Sequence, residues 1–319
     1  TTLWVTGSFD NPAGFAACLC AGFPFVGFLL SDSNKYIRYV GGLIGFVIVI
    51  AVILSQSRAG IMSIAFICFI LLNMKFFHKR WVKYLSLLCF ALLLSGCYWM
   101  KKDSADGRLL IWRCSVSMVK DAPWLGHGIG SFEARYMDYQ ADYFRQYGLN
   151  RYSMLADNVK HPFNEYLGVL LNFGFVGLLM ILALITLLIY CYKKHPCAEK
   201  RIAFYSLISI GVFSFFSYTF TYPFTWIVTF LCIIILTKEY IAKVFTCPII
   251  KNTVCIFILL CSFWGIYNLV KRVMAEKEWG NTSRLALCGA SGKTLPAYAE
   301  LEKKFENNPY FLYNYAAIL

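Results

Sequence analysis

Residues 164–191 read NEYLGVLLNFGFVGLLMILALITLLIYC, and Glu165 is the one charged residue among them. As a helix rising about 1.5 Å per residue, roughly 20 such residues cross the hydrocarbon layer of a bilayer. Runs of similar character lie at roughly 12–31, 38–56, 59–77, 82–100, 202–220, 224–240 and 252–270. The pattern predicts an all-α, polytopic transmembrane bundle of about eight spans.

Working outward, composition agrees. Of 319 residues, 59% are hydrophobic and 15% charged, with a mean hydropathy of +0.59. A soluble domain of this length needs far more charge to cover its surface. The net charge of +13 does not mark a nucleic-acid binder, because the basic residues sit in short connections between apolar runs. Lys35 and Arg38 form one set; Lys75, Lys79, Arg80 and Lys83 another. Lys193, Lys194, Lys200 and Arg201 follow, then Lys238, Lys243 and Lys251. They occupy every second connection, as cytoplasmic loops do under the positive-inside rule. The N-terminal segment, the turn at Ser57-Arg58, the 101–163 loop, the turn at Tyr222-Pro223 and the tail after Lys271 are therefore expected to face outward.

The 13 Cys are scattered, mostly within apolar runs (Cys68, Cys89, Cys232, Cys255, Cys261). Cys18 and Cys20 are close, but no matching second pair gives zinc-ligand spacing, so the thiols read as small core residues. The chain opens Thr1-Thr2-Leu3 without Met or a basic leader and closes in mid-pattern at Ala316-Ala317-Ile318-Leu319. It is expected to be an internal piece of a longer protein, lacking upstream spans.

The outward loop carries most of the chemistry. Arg108 to Lys120 reads as an amphipathic helix, with Leu109, Trp112, Val116 and Val119 at three- and four-residue steps. Asp121-Ala122-Pro123 stops it, and Gly126, Gly128 and Gly130 follow in a turn-rich stretch. A second helix is expected over Phe132–Tyr147, with Tyr136, Tyr139, Tyr143 and Tyr147 near one face at the membrane interface. Those tyrosines read either as interfacial packing or as a stack for sugars. Past residue 271 two short helical patterns, Leu295–Glu306 and Tyr310–Leu319, resemble the opening of a helical-repeat region. The domains expected are spans over 1–100, a catalytic loop over 101–163, spans over 164–270 and a tail over 271–319.

Three residues stand out chemically. Arg58, in Ser55-Gln56-Ser57-Arg58-Ala59-Gly60, reads either as a snorkelling side chain or as a phosphate-binding cation in a small-residue turn. Arg108 begins the loop helix just beyond a span, on the same side. His161 precedes the next span and is suited to general-base work near neutral pH, with Glu165 as a second base or an orienting partner. Asn164, His127 and Trp112 are candidate lining residues. Gly126-His127-Gly128-Ile129-Gly130 looks superficially like a phosphate loop, but with no strand before it a turn is the better reading.

Taken in order, these motifs carry a resemblance. Gly7-Ser8-Phe9-Asp10-Asn11-Pro12, Ser57-Arg58-Ala59, Gly107-Arg108-Leu109-Leu110-Ile111-Trp112 and the stretch from Pro123 to Phe132 come first. His161-Pro162-Phe163-Asn164-Glu165-Tyr166-Leu167 and Gly174-Phe175-Val176-Gly177 follow. Over about residues 1–240 the set resembles the family of O-antigen ligases and Wzy-type polymerases. The tail is similar to forms that append tetratricopeptide-like repeats, as in Bacteroides-type bacteria. The resemblance implies a GT-C-like, metal-independent glycosyltransferase of the bacterial inner membrane, without cofactor and with its active site facing the periplasm. Its donor would be an undecaprenyl-pyrophosphate-linked glycan, and its acceptor lipid A core or a growing glycan. By position, Arg58 and Arg108 would hold the pyrophosphate and His161 would assist the acceptor. The family's His often directly precedes the Asn, whereas Pro162 and Phe163 intervene here; Glu165 is then a substitute base. Ligase, polymerase and protein O-oligosaccharyltransferase all stay open, with ligation to lipid A core preferred. Two rivals from other classes are a transporter of lipid-linked glycans, which predicts charges near the midplane, and an assembly scaffold.

Overall fold

The computed structural model describes residues 6, 7, 9, 11–75, 80–100, 102–244, 248–305 and 308–318. Ser8, Asp10 and Lys79, named above, and the final Leu319 lie outside the described residues. The described chain is helical throughout: α1 (Pro12–Gly22), α2 (Val26–Leu30), α3 (Lys35–Leu54), α4 (Arg58–Lys75), α5 (Arg80–Met100), α6 (Lys102–Asp121) and α7 (Ser131–Tyr147). Then come α8 (Glu165–Lys194), α9 (Ala198–Phe216), α10 (Pro223–Val244), α11 (Pro248–Leu285), α12 (Ser291–Phe305) and α13 (Pro309–Ala316). Each of the eight expected spans falls on helix. Among the described residues five stretches are long and apolar enough to cross a membrane: Pro12–Leu30, Lys35–Leu54, Glu165–Lys194, Pro223–Ala242 and Asn252–Cys288. Arg58–Leu71 and Trp81–Leu93 are apolar but shorter. The chain is a multi-pass membrane protein.

The first span is not one helix. Phe23-Pro24-Phe25 forms a 3-10 turn between α1 and α2, because a proline inside a helix removes a donor and crowds the preceding turn. The last span runs on past residue 270 as α11, to Leu285. The chain divides into two units, Thr1–Glu239 and Tyr240–Leu319. In the second, Trp279, Tyr298, Leu301, Phe305 and Phe311 pack α11, α12 and α13 together.

The first unit is built around α9. Lipid tails are as apolar as Leu, so helices in a bilayer associate through close packing of small residues and hydrogen bonds rather than by hiding from water. α9 supplies both. Ser206 donates to the Ala21 carbonyl (2.6 Å) and Ser209 to the Cys20 carbonyl (2.7 Å), tying α9 to α1. Ser63 of α4 donates to the Ser209 carbonyl (2.8 Å). Ala16, Ala17, Cys20 and Ala59 are buried beside them with Phe213. At the opposite end of the bundle the fully buried Lys200 pairs with Glu239, and Lys238 with Glu199 at 2.7 Å. The outer faces of α3, α8 and α10 carry exposed Leu, Ile and Phe, suited to lipid.

Helices α6 and α7 form an antiparallel hairpin whose core differs from the stripe read in the sequence. Leu110, Ile111, Cys114 and Met118 of α6 meet Phe132 and Tyr136 of α7 and Leu171 of α8. Of the stripe read in the sequence, Trp112 and Val119 pack against this core, whereas Leu109 and Val116 are 37% and 47% exposed. α6 has two apolar faces, and α7 and α8 cover the other one. Tyr136 is likewise not interfacial: it is buried and stacked on Phe132 at 4.9 Å.

The hairpin is fastened to α8 by an exchange of backbone hydrogen bonds. His127 and Gly128 donate to the carbonyls of Leu171 and Asn172 (2.7 and 3.1 Å), and Phe175 and Val176 donate to Pro123 and Trp124 (2.8 and 3.2 Å). This requires α8 to break, which it does at Gly174 (φ 61°, ψ −159°). Such a backbone conformation is essentially reserved for glycine. A Cβ there would stand 2.3 Å from the Trp124 carbonyl, and one on Gly126 would stand 2.6 Å from the backbone at 172–173. The glycines of both motifs are thus contact surfaces.

Gly174→Ala is therefore expected to destabilise the detergent-solubilised protein by at least about 3 kcal/mol. Gly96→Ala, where a Cβ meets nothing within 4 Å, should stay within about 1 kcal/mol of the parent. Thermal unfolding of the two variants side by side checks the difference.

Candidate functional site

The packing around α9 collects several chain turns at one end of the first unit. The start of α1, the α3–α4 turn, the start of α8 and the segment after α9 all meet there. In the α3–α4 turn Gln56 takes a left-handed conformation (φ 52°), and the buried Ser57 accepts from the Gly60 N–H (3.3 Å). That turn presents Arg58, which donates to Ser104 of α6 at 2.8 Å.

Arg108 arrives from α6. Its Nη1 donates to the Phe216 carbonyl at 2.7 Å, at the open end of α9, and its guanidinium lies over the Phe163 ring at 5.0 Å. A cation at a helix C-terminus satisfies one of the orphan carbonyls. Among the described residues Arg108 has no carboxylate partner. Burial first, and the neighbouring Arg58 second, lower its pKa to about 10. Both arginines line one cavity of about 190 Å³, otherwise walled by Met62, Tyr98, Ala105, Leu109, Trp112 and Phe216. Two converging guanidinium groups in apolar surroundings are a costly arrangement that an anion relieves.

Trp112 lines the same cavity and its indole N–H donates to the Pro162 carbonyl at 2.9 Å. This pins the 161–164 segment, in which Phe163 adopts a left-handed backbone (φ 53°). Phe163 packs edge-on to Tyr218 (5.3 Å), and His161 stacks on Tyr218 at 4.8 Å. Tyr218 in turn accepts from the Asn11 amide. One aromatic layer thus connects Arg108 with His161. Among the described residues neither ring nitrogen of His161 is hydrogen-bonded. Burial lowers its pKa below 6.5, with Lys160 adding to the effect and Glu133 opposing it.

Asn164 and Glu165 serve the start of α8. Asn164 caps the helix, accepting from the Leu167 N–H at 3.0 Å. Glu165 Oε1 accepts from the Phe220 N–H at 2.7 Å, fixing the 3-10 turn Thr219–Thr221 beside Tyr218. His127 stands apart from the arginine cavity. Its Nε2 bonds the Met118 carbonyl (2.7 Å) and its Nδ1 the Arg135 guanidinium (3.1 Å). A carbonyl only accepts and a guanidinium only donates, so the ring is neutral with its proton on Nε2. Residues that sequence reasoning passed over are Tyr218, Phe216 and Ser104. Asn11 carried a signal, because it lies in the Gly7–Pro12 motif. Among the described residues no three His, Cys, Asp or Glu side chains cluster as metal ligands.

Residues 43–182 match the family described as O-antigen ligase. Over that segment the chain is similar to the O-antigen ligase family. The matched segment holds Arg58, Arg108, Trp112, His127, His161, Asn164 and Glu165, whereas Asn11 and the Phe216–Phe220 wall lie outside it. That similarity supports a membrane enzyme of glycan ligation or polymerisation. Among curated proteins none matches the chain.

The electrostatics of this site give a pH-dependent expectation. Arg108 binds fewer protons folded than unfolded between about pH 10 and its ordinary 12.5. Its cost to stability is thus fully present below pH 10 and is relieved as pH rises through that window. Inorganic pyrophosphate should raise the unfolding midpoint near neutral pH, and its effect should weaken as pH rises through about 10. A thermal-shift series across pH measures this, with Arg58→Met as the variant expected not to respond.

Proposed function

We propose that this chain transfers a glycan from undecaprenyl pyrophosphate to an acceptor hydroxyl at the periplasmic face of the bacterial inner membrane, with lipid A core as acceptor. The observation that carries the reading is the pair Arg58 and Arg108 lining one small cavity, with no carboxylate paired to Arg108 among the described residues. A diphosphate matches it, because guanidinium groups offer paired donors in the geometry of phosphate oxygens.

The cavity's neighbour supports the lipid half of the donor. A groove of about 670 Å³ between α4, α5, α8 and α9 shares Met62 and Phe216 with it, and is walled by apolar side chains including Phe66, Phe90 and Leu207. It suits a prenyl chain, with the diphosphate at its head.

In the reaction the acceptor oxygen forms a bond to the anomeric carbon as the bond from that carbon to the diphosphate oxygen breaks. The electron pair leaves with the diphosphate, and Arg58 and Arg108 stabilise the charge as it develops. The acceptor proton passes to a ring nitrogen of His161, which burial keeps neutral at pH 7. Glu165 is a positioning residue in this scheme, since its carboxylate holds the Phe220 N–H. Sign and window follow for His161: the neutral ring is favoured in the fold, so stability and rate both decline as pH falls from 6.5 through its lowered value.

Arg58→Ala and Arg108→Ala are each expected to reduce transfer at least about 100-fold while inserting normally. Surface glycans and extracted carrier-lipid intermediates, run side by side, give the readout: polymer should accumulate on the carrier and vanish from the anchor. Full transfer by either variant overturns the reading, and single repeats capping the anchor would mean a polymerase. Glu165→Gln keeps an acceptor oxygen for Phe220 and should retain most activity, whereas His161→Ala should lose it. The opposite ranking would make Glu165 the base.

A further inference from the structure

Helix α6 carries more apolar surface than its core consumes. Leu109 and Val116 lie exposed along one face, joined by Trp112, whose ring also packs against the hairpin core, with Arg113 and Lys120 beside them at helical spacing. Helix α7 faces them with Tyr139, Tyr143, Gln146 and Tyr147, again at steps of three and four. Together the two faces line a groove of about 680 Å³, within the size range of ligand sites. From Leu109 to Lys120 it extends about 16 Å along α6.

Its character differs from the apolar groove described above. Aromatic rings alternate with charged and amide groups, and the rings are set: Tyr143 and Tyr147 lie 4.9 Å apart, and Arg113 donates to the Tyr143 hydroxyl at 3.3 Å. Tyr147 is 61% exposed. The groove also joins the arginine cavity, since Leu109 and Trp112 line both.

We infer that this groove binds the saccharide chain of the donor, an assignment that rests on the arginine cavity being the diphosphate site. A glycan attached to that diphosphate has to leave the cavity away from the prenyl groove, and Leu109 and Trp112 mark that exit. Sugar rings present flat C–H faces and hydroxyl rims, which aromatic faces and interspersed polar groups recognise together. A bilayer surface is the other taker of exposed aromatics. A concave wall containing Gln146 and Asp142, the latter paired with Arg145 at 2.8 Å, suits hydroxyl groups better than lipid.

The test uses the full chain in nanodiscs, titrated calorimetrically with two probes. One is the oligosaccharide released by mild acid from the host's lipid-linked glycan; the other is inorganic pyrophosphate. The double variant Gln146→Ala/Tyr147→Ala is expected to bind the oligosaccharide about tenfold more weakly, or about 1.4 kcal/mol, with pyrophosphate unchanged. Arg58→Ala should show the reverse. Equal oligosaccharide binding by the double variant and the parent overturns the assignment, as does absence of binding by the parent. A drop in liposome association without a change in sugar binding overturns it in favour of a membrane-facing surface. If pyrophosphate fails to bind the parent while the oligosaccharide behaves as expected, the diphosphate reading falls and the groove assignment stands.

Discussion

The contact on which the site depends is the serine seam of α9. In a bilayer, helices gain little from burying apolar surface against one another, so a few interhelical hydrogen bonds and close small-residue contacts decide which helices are neighbours. Ser206, Ser209 and Ser63 make those bonds, and Ala16, Ala17 and Ala59 allow the approach. Because α1 and α4 are held to α9 in this way, Asn11 and Arg58 are brought to the end of α9 where Phe216 and Tyr218 lie. The hydroxyls line no part of the arginine cavity, yet they set its geometry.

A second constraint comes from the α6–α7 hairpin. Beside the packing on Leu171, its attachment to α8 rests on four backbone hydrogen bonds exchanged across Gly126 and Gly174. Backbone seams tolerate no Cβ at their closest points, and they hold their register tightly. That register sets Trp112 against Pro162 and Arg108 against Phe163. The arginine cavity is thereby formed from two elements of different origin: a turn between spans and a helix outside them.

Much of this was legible in the sequence. Eight apolar runs coincide with helix, the Asp121–Pro123 stop ends α6, and the tail helices fall near their expected limits. Arg58 and Arg108 were legible by residue type and place, and they do share a cavity. The working face of α6 was misassigned, because periodicity reports that a helix has an apolar stripe and cannot say which of two stripes its neighbours cover. Tyr218 and Phe216 escaped notice since an aromatic at a span end has an ordinary explanation in the membrane interface. Glu165 looked like a free carboxylate only because its partner, the Phe220 N–H, is 55 residues away.

Local chemistry sufficed, then, for what the sequence by itself determined: helical spans, a polar loop of two helices, and a cationic character at the loop end. Bilayer thickness and helical periodicity act over runs of neighbouring residues, so their marks are written in order along the chain. The tertiary structure alone decided which cations converge, which histidine is clamped between Met118 and Arg135, and which is left stacked with its nitrogens open. Those outcomes depend on contacts across as many as 207 residues, as between Asn11 and Tyr218. Long-range neighbours are chosen by packing and hydrogen-bond satisfaction over the whole bundle, and no local pattern encodes them.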